Sequence, residues 1–134
     1  MSGERILVVD DNATNCKLVA YLMKANGYTV DTALDAEAAI EAIRARCPDV
    51  ILMDIQLPGI DGLELTRRLK ADPATRDIVI IAVTAYAMKG DQAKAREAGC
   101  DDYITKPIDT RSLPETVVRH LANRRAGIVT GGHA

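Results

Sequence analysis

The sequence predicts an α/β protein in which a doubly wound, parallel sheet of five strands carries helices on both faces. Three observations lead there. The strongest apolar runs are continuous rather than alternating, as strands covered on both sides require. Helical periodicities lie between the runs, so strand and helix alternate along the chain and right-handed crossovers follow. The chain of 134 residues has four Tyr and neither Phe nor Trp. Its core is therefore Ile, Val, Leu and Ala, which suits helices packed closely on an aliphatic sheet.

Ile6–Val9 is the first continuous run. Leu18, Tyr21, Leu22 and Ala25 then trace one helix face, closed by Gly27 in the C′ position. Thr29–Thr32 is a weaker run and reads as an edge strand. Ala36, Ala39, Ile40, Ile43 and Cys47 mark the second helix, with Asp35 as its N-cap and Pro48 as its stop. Val50–Met53 is the next buried strand. Leu65 and Leu69 belong to the third helix, which Asp61 and Glu64 open with capping-box spacing. Ile78–Val83 is the longest strand signal.

The fourth helix, from about Lys89 to Ala98, offers mainly Ala93, Ala95 and Ala98 beyond Met88, so its packing is expected to be shallow. Gly99 ends it. Asp102–Ile104 reads as a second edge strand, and Leu113, Val117 and Leu121 mark the fifth helix. Pro114 is tolerated only in a first helical turn. With Ser112 and Glu115 in capping-box spacing, regular helix is expected from Ser112 or Leu113, after a separate turn at Asp109–Arg111. Arg111, Arg119, Arg124 and Arg125 outnumber Glu115 on this helix, which makes its surface mildly basic. The Gly-rich stretch 124–134 is expected to be a flexible tail.

Seventeen Lys+Arg against nineteen Asp+Glu leave a net charge of −2. That balance argues against non-specific nucleic-acid binding. No apolar run has the length of a membrane span, and Asp10 and Asp11 come too early for a signal peptide, so a cytoplasmic location is expected. Cys16, Cys47 and Cys100 lack the spacing of a disulfide framework or a zinc site.

In an open parallel sheet, function belongs at the carboxyl ends of the strands. Asp10-Asp11 ends the first strand, Asp54 the third and Thr84 the fourth, and the fifth leads into Lys106-Pro107. A single Asp there is commonly a helix N-cap, but capping does not need two adjacent ones plus a third. Clustered carboxylates repel, and a divalent cation relieves the repulsion. Mg²⁺ takes carboxylate and carbonyl oxygens while keeping waters, so Asp11, Asp54 and a carbonyl just past Asp54 suit it, with Asp10 helping through a water. With the metal and Lys106 present, an anionic group such as a phosphoryl can sit beside Asp54.

These residues resemble a known family. ILVVDD, then ILMD at Asp54 followed by Leu57-Pro58-Gly59-Ile60-Asp61-Gly62, then VTAYA at Thr84, then Lys106-Pro107, is similar in content and order to the receiver domain of bacterial two-component response regulators. The resemblance covers about residues 4–123 and is greatest to stand-alone DivK-like and CheY-like single-domain regulators; residues 85–91 are similar to DivK-like regulators and to receivers of hybrid kinases. It implies a flavodoxin-like strand order 2-1-3-4-5. It also implies Asp54 as phosphoacceptor, Asp10, Asp11, Asp54 and the Gln56 carbonyl as Mg²⁺ ligands, and Thr84 and Lys106 on the phosphoryl oxygens. It further implies that Tyr103 takes the aromatic switch position, that the Lys106–Pro107 peptide is cis, and that Gln56 and Tyr86 flank the path of attacking water and tune phosphoryl lifetime. The implied donor is a sensor histidine kinase or histidine phosphotransferase. The implied output is a protein target docking around residues 85–120, with room for a weak homodimer.

Three other readings are weaker. A Mg²⁺-dependent aspartyl phosphohydrolase on a similar sheet needs a second Asp two residues after the nucleophile, where Gln56 stands. Nucleotide binding lacks both GxxxxGK[ST] and GxGxxG. A receiver excised from a larger regulator or hybrid kinase shares the chemistry but not the context. The short tail without a DNA-binding helical unit favours a stand-alone regulator.

Overall fold

A computed structural model describes residues 4–55, 62–84, 90–106 and 108–125 of the chain. Strand and helix alternate as β1 (Arg5–Val9), α1 (Ala13–Ala25), β2 (Thr29–Ala33), α2 (Ala36–Ala45) and β3 (Val50–Asp54), followed by α3 (Gly62–Ala71), β4 (Val79–Thr84), α4 (Asp91–Ala98), β5 (Asp102–Thr105) and α5 (Ser112–Arg125). The sheet is wholly parallel, in the order β2-β1-β3-β4-β5. Both the doubly wound architecture and the flavodoxin-like order are therefore observed, with the two weak apolar runs at the edges.

Continuous apolar strands arise because alternate side chains feed two cores. Leu7, Val9, Ile51, Met53, Ile80 and Ala82 meet α2, α3 and α4 through Ala39, Ile43, Leu65, Leu69 and Ala95. Ile6, Val8, Val50, Leu52, Val79, Ile81 and Val83 meet α1 and α5 through Cys16, Val19, Met23, Leu113, Val117 and Leu121.

The expected caps are largely present. Asp35 accepts the Ala38 N–H at 2.8 Å and opens α2. Gly27 adopts φ 93° after α1, where Gly27 N–H reaches the Lys24 carbonyl and Tyr28 N–H the Met23 carbonyl, a Schellman closure. Gly99, at φ 108°, closes α4 in the same way. Regular helix in α5 begins at Ser112, as Pro114 requires, but Asp109 does the capping. Its Oδ1 accepts the Arg111 N–H at 2.8 Å and the Ser112 N–H at 3.3 Å. Its carbonyl accepts the Leu113 N–H. Because Pro114 has no N–H, the next helical bond cannot form, and the turn at 110–111 stays distinct from the helix.

Three expectations are corrected. The buried face of α1 is Cys16, Val19, Ala20 and Met23, whereas Leu18 and Tyr21 are exposed. This helix carries apolar residues on more than one arc, and packing against β1 and β2 chooses between them. Cys47 lies beyond the end of α2 and is exposed. Ala93 faces solvent, so α4 buries only Ala95 and Ala98 among its described side chains, which makes its seat as shallow as its composition suggested. The Asp61 cap, Met88, Lys89 and the tail from residue 126 lie outside the described residues, as do the side chains of Arg124 and Arg125.

Candidate functional site

Register brings the strand-end residues together. Val9 pairs with Met53, so the next residues, Asp10 and Asp54, emerge side by side at the carboxyl edge. Asp54 pairs with Val83 and Thr84 with Thr105, which places Thr84 and Lys106 on the same edge. Carboxylate oxygens of Asp10, Asp11 and Asp54 lie within 4.8 Å of one another. Asp10 and Asp54 are each only 5% exposed, Thr84 is fully buried, and Asp11 is open to solvent.

Lys106 reaches into this cluster. Its Nζ lies 2.9 Å from Asp10 Oδ2 and 3.6 Å from Asp54 Oδ2. Its N–H donates to the Thr84 carbonyl at 2.7 Å, tying the start of the β5–α5 connection to the end of β4. Burial alone would lower the Lys106 pKa. The hydrogen bond to Asp10 and the charges of Asp54 and Asp10 outweigh it and raise the pKa above its ordinary value. Lys106 is thus a charged ammonium across the physiological range, facing three carboxyl groups.

The geometry also decides which strand-end residue caps α1. Asn12 Oδ1 accepts the Asn15 N–H at 3.1 Å, so neither Asp10 nor Asp11 is used as the cap. Asp10 Oδ1 instead accepts the Asn12 N–H at 2.9 Å, which orients its second oxygen towards Lys106. The signal for Asn12 was present in its residue type, since Asn is a favoured N-cap.

Gly62 stands in the Leu57–Gly62 motif, whose sequence alone shows no role for it. It begins α3, and its N–H donates to the Ile55 carbonyl at 3.3 Å. A Cβ there would stand 2.7 Å from Ile55 Cα and closer still to the Asp54 carbonyl oxygen. Only glycine lets α3 approach the Asp54 backbone so closely. Of the other site residues expected from the sequence, Tyr103 is half-buried against the core on the α2–α4 side of the sheet. Gln56, Tyr86 and Pro107 lie outside the described residues.

The fold and this edge define a class: an acidic, lysine-bridged phosphoacceptor site at the carboxyl end of a five-stranded parallel sheet. The chain belongs to the response regulator receiver domain family, whose pattern matches residues 6–118. It is 44% identical over 118 residues to the polar-differentiation response regulator DivK of Brucella anthropi, covering 88% of this chain and 96% of that one. Among solved structures it is similar to a CheY-like receiver domain protein from Methanospirillum hungatei (TM-score 0.87, 29% identity, 94% of this chain and 99% of that one). It is also similar to a BeF3-activated DrrB receiver domain (TM-score 0.82, 30% identity, 91% of this chain and 99% of that one). The protein is therefore a receiver-domain response regulator, a phosphoacceptor signalling protein whose donor is a histidine kinase. Its Asp10, Asp11 and Asp54 form the acidic triad typical of the receiver metal site. Among the described residues, no helix is long and apolar enough to cross a membrane.

Proposed function

We propose that the Asp54 carboxylate takes a phosphoryl group from the phosphohistidine of a kinase or histidine phosphotransferase and that the change is read by a protein partner in the cytoplasm. The observation that carries this reading is the Lys106 ammonium held between Asp10 and Asp54 in a cluster of three carboxyl groups. One cation against three carboxylates leaves an uncompensated negative charge that suits a hard divalent ion bound through oxygen. Asp10, Asp11 and Asp54 would hold Mg²⁺ with the Gln56 carbonyl, and the ion would supply charge neutralisation to the incoming phosphoryl oxygens.

Asp54 Oδ attacks phosphorus in line; the P–O bond forms as the P–N bond breaks, and the electron pair leaves with the imidazole. The residues of this chain chiefly align and compensate charge. Lys106 exchanges a carboxylate contact for a phosphoryl oxygen, at no change in its own protonation. Thr84, wholly buried at the end of β4, reaches another phosphoryl oxygen only when its loop moves inward. The space it leaves is filled by Tyr103, which alters the face formed around residues 85–120. Gln56 and Tyr86 set how readily water reaches the acyl phosphate.

Phosphotransfer from a histidine kinase to Asp54→Asn tests the assignment. Complete loss of label is expected, since an amide is not the required nucleophile. Asp11→Ala should weaken Mg²⁺ binding, measured by calorimetry, while Lys106→Ala should largely retain it and impair phosphorylation. Wild-type uptake of one phosphoryl by Asp54→Asn would refute the site.

A further inference from the structure

A buried histidine lies outside the phosphoacceptor site, on α5. His120 is 6% exposed, and its Nε2 sits 2.8 Å from Asp102 Oδ2 at the start of β5. Arg119 Nη2 reaches the same oxygen at 3.0 Å, from a largely exposed side chain. The other oxygen, Asp102 Oδ1, accepts the N–H of Tyr103 at 2.7 Å. One carboxylate thus joins α5 to the backbone of the switch strand.

Side chains alternate along β5. Asp102 and Ile104 face α5, while Tyr103 packs on the opposite core with Ala95 of α4. Anchoring Asp102 therefore restrains the peptide from which the Tyr103 ring swings, although the two side chains lie on opposite sides of the sheet. Of the two donors on Oδ2, the exposed arginine is partly screened by water and supplies the smaller share of the restraint. The sheltered imidazole supplies the larger share. His120 Nδ1 is buried with no hydrogen-bond partner among the described residues. Packing alone would be served better by an apolar side chain of similar size, because a buried polar atom without a partner is unfavourable.

We propose that His120 is a positioning residue that, with Arg119, latches Asp102 and thereby holds the resting seat of Tyr103, so that opening this latch favours the activated arrangement of the receiver. The inference rests on the reading of Asp54 as phosphoacceptor and Tyr103 as switch. By linkage, whatever loosens Asp102 should raise the affinity for the phosphoryl group, and whatever fills the phosphoryl site should loosen the latch.

The experiment is a beryllofluoride titration with Mg²⁺, followed by NMR, of wild type, His120→Leu, His120→Gln and Arg119→Ala. Coupled sites typically shift each other's affinity by about fivefold or more. His120→Leu should lower the beryllofluoride midpoint by about fivefold and shift the Tyr103 ring resonances of the free protein. His120→Gln carries an amide N–H as many bonds from Cα as Nε2 and should restore both. A residue that served stability alone would lower the melting temperature and leave the midpoint in place. Equal midpoints in wild type, His120→Leu and Arg119→Ala would overturn the latch. If His120→Leu does not fold, Arg119→Ala, altered at an exposed side chain, should still shift the midpoint in the same direction by a smaller factor, and no shift overturns the proposal. Failure of wild type to respond to beryllofluoride would instead refute the phosphoacceptor site; unmoved Tyr103 resonances in His120→Leu would then refute the latch separately.

Discussion

Gly62→Ala adds one methyl group where α3 meets the Asp54 backbone. The new Cβ would stand 2.7 Å from Ile55 Cα and 3.0 Å from the Asp54 carbonyl carbon. Carbon atoms pack favourably at about 3.5–4.0 Å, so the deficit at Ile55 is roughly 1 Å. Both opposing atoms are backbone, at the carboxyl edge of a strand buried along its whole length, and they cannot rotate away as a side chain would. Either α3 lifts from the sheet or the end of β3 moves. Overpacking of this kind costs about 1–3 kcal/mol, and for a domain of this size each kcal/mol lowers the melting temperature by roughly 4 °C.

Movement of the end of β3 carries Asp54 away from Lys106 and Asp10, and by that route phosphotransfer should slow by about tenfold or more. Gly27→Ala is the matching control. A Cβ there meets nothing within 4 Å, and its cost comes only from the left-handed φ of 93°. Calorimetric melting and phosphotransfer rates of the two variants separate the effects: both should lose stability, and only Gly62→Ala should lose phosphotransfer. Wild-type melting and wild-type phosphotransfer in Gly62→Ala would refute the close-approach argument.

The hydrogen bond from His120, reinforced by the Tyr103 N–H and by the charges of His120 and Arg119, holds the Asp102 carboxyl below its ordinary value of 3.8 against the opposing effect of burial. A depressed carboxyl stabilises the fold above its unfolded pKa and loses that contribution as pH falls through the folded one. Urea midpoints of wild type and Asp102→Asn should therefore differ at pH 6 and converge below about pH 3.8; a constant gap down to pH 2 would contradict the linkage. Burial pushes the Cys100 thiol up to about 11, raises that of Cys16, and leaves Cys47 in solvent. A thiol-exchange reagent at pH 8 should thus titrate one cysteine quickly in the native protein, and Cys47→Ser should abolish that fast phase. On the proposed reading, in which Tyr86 shields the phosphoryl group with a ring that cannot act as a carboxylate base, Tyr86→Ala should shorten the acyl-phosphate lifetime. Equal decay rates would remove the shielding idea.

Local chemistry determined much of this protein from the sequence alone. Continuous Ile/Val/Leu runs between helical periods prescribe a sheet covered on both faces, because only alternate burial into two cores demands apolar residues at every strand position. The strand-end rule then selects Asp10, Asp11, Asp54, Thr84 and Lys106, and Pro114 dates the start of α5, since a ring without an N–H obeys local geometry wherever it is placed. Tertiary structure decided what local patterns leave degenerate. α1 carries more than one apolar arc, and only contact with β1 and β2 buries Met23 and exposes Tyr21. Asn12 and Asp109, rather than their neighbours, cap α1 and α5 because the approach of the chain determines which oxygen meets the free N–H groups. The tightness at Gly62 and the Asp102–His120 bond likewise depend on distances between elements far apart in sequence, which register and packing set and no local spacing encodes.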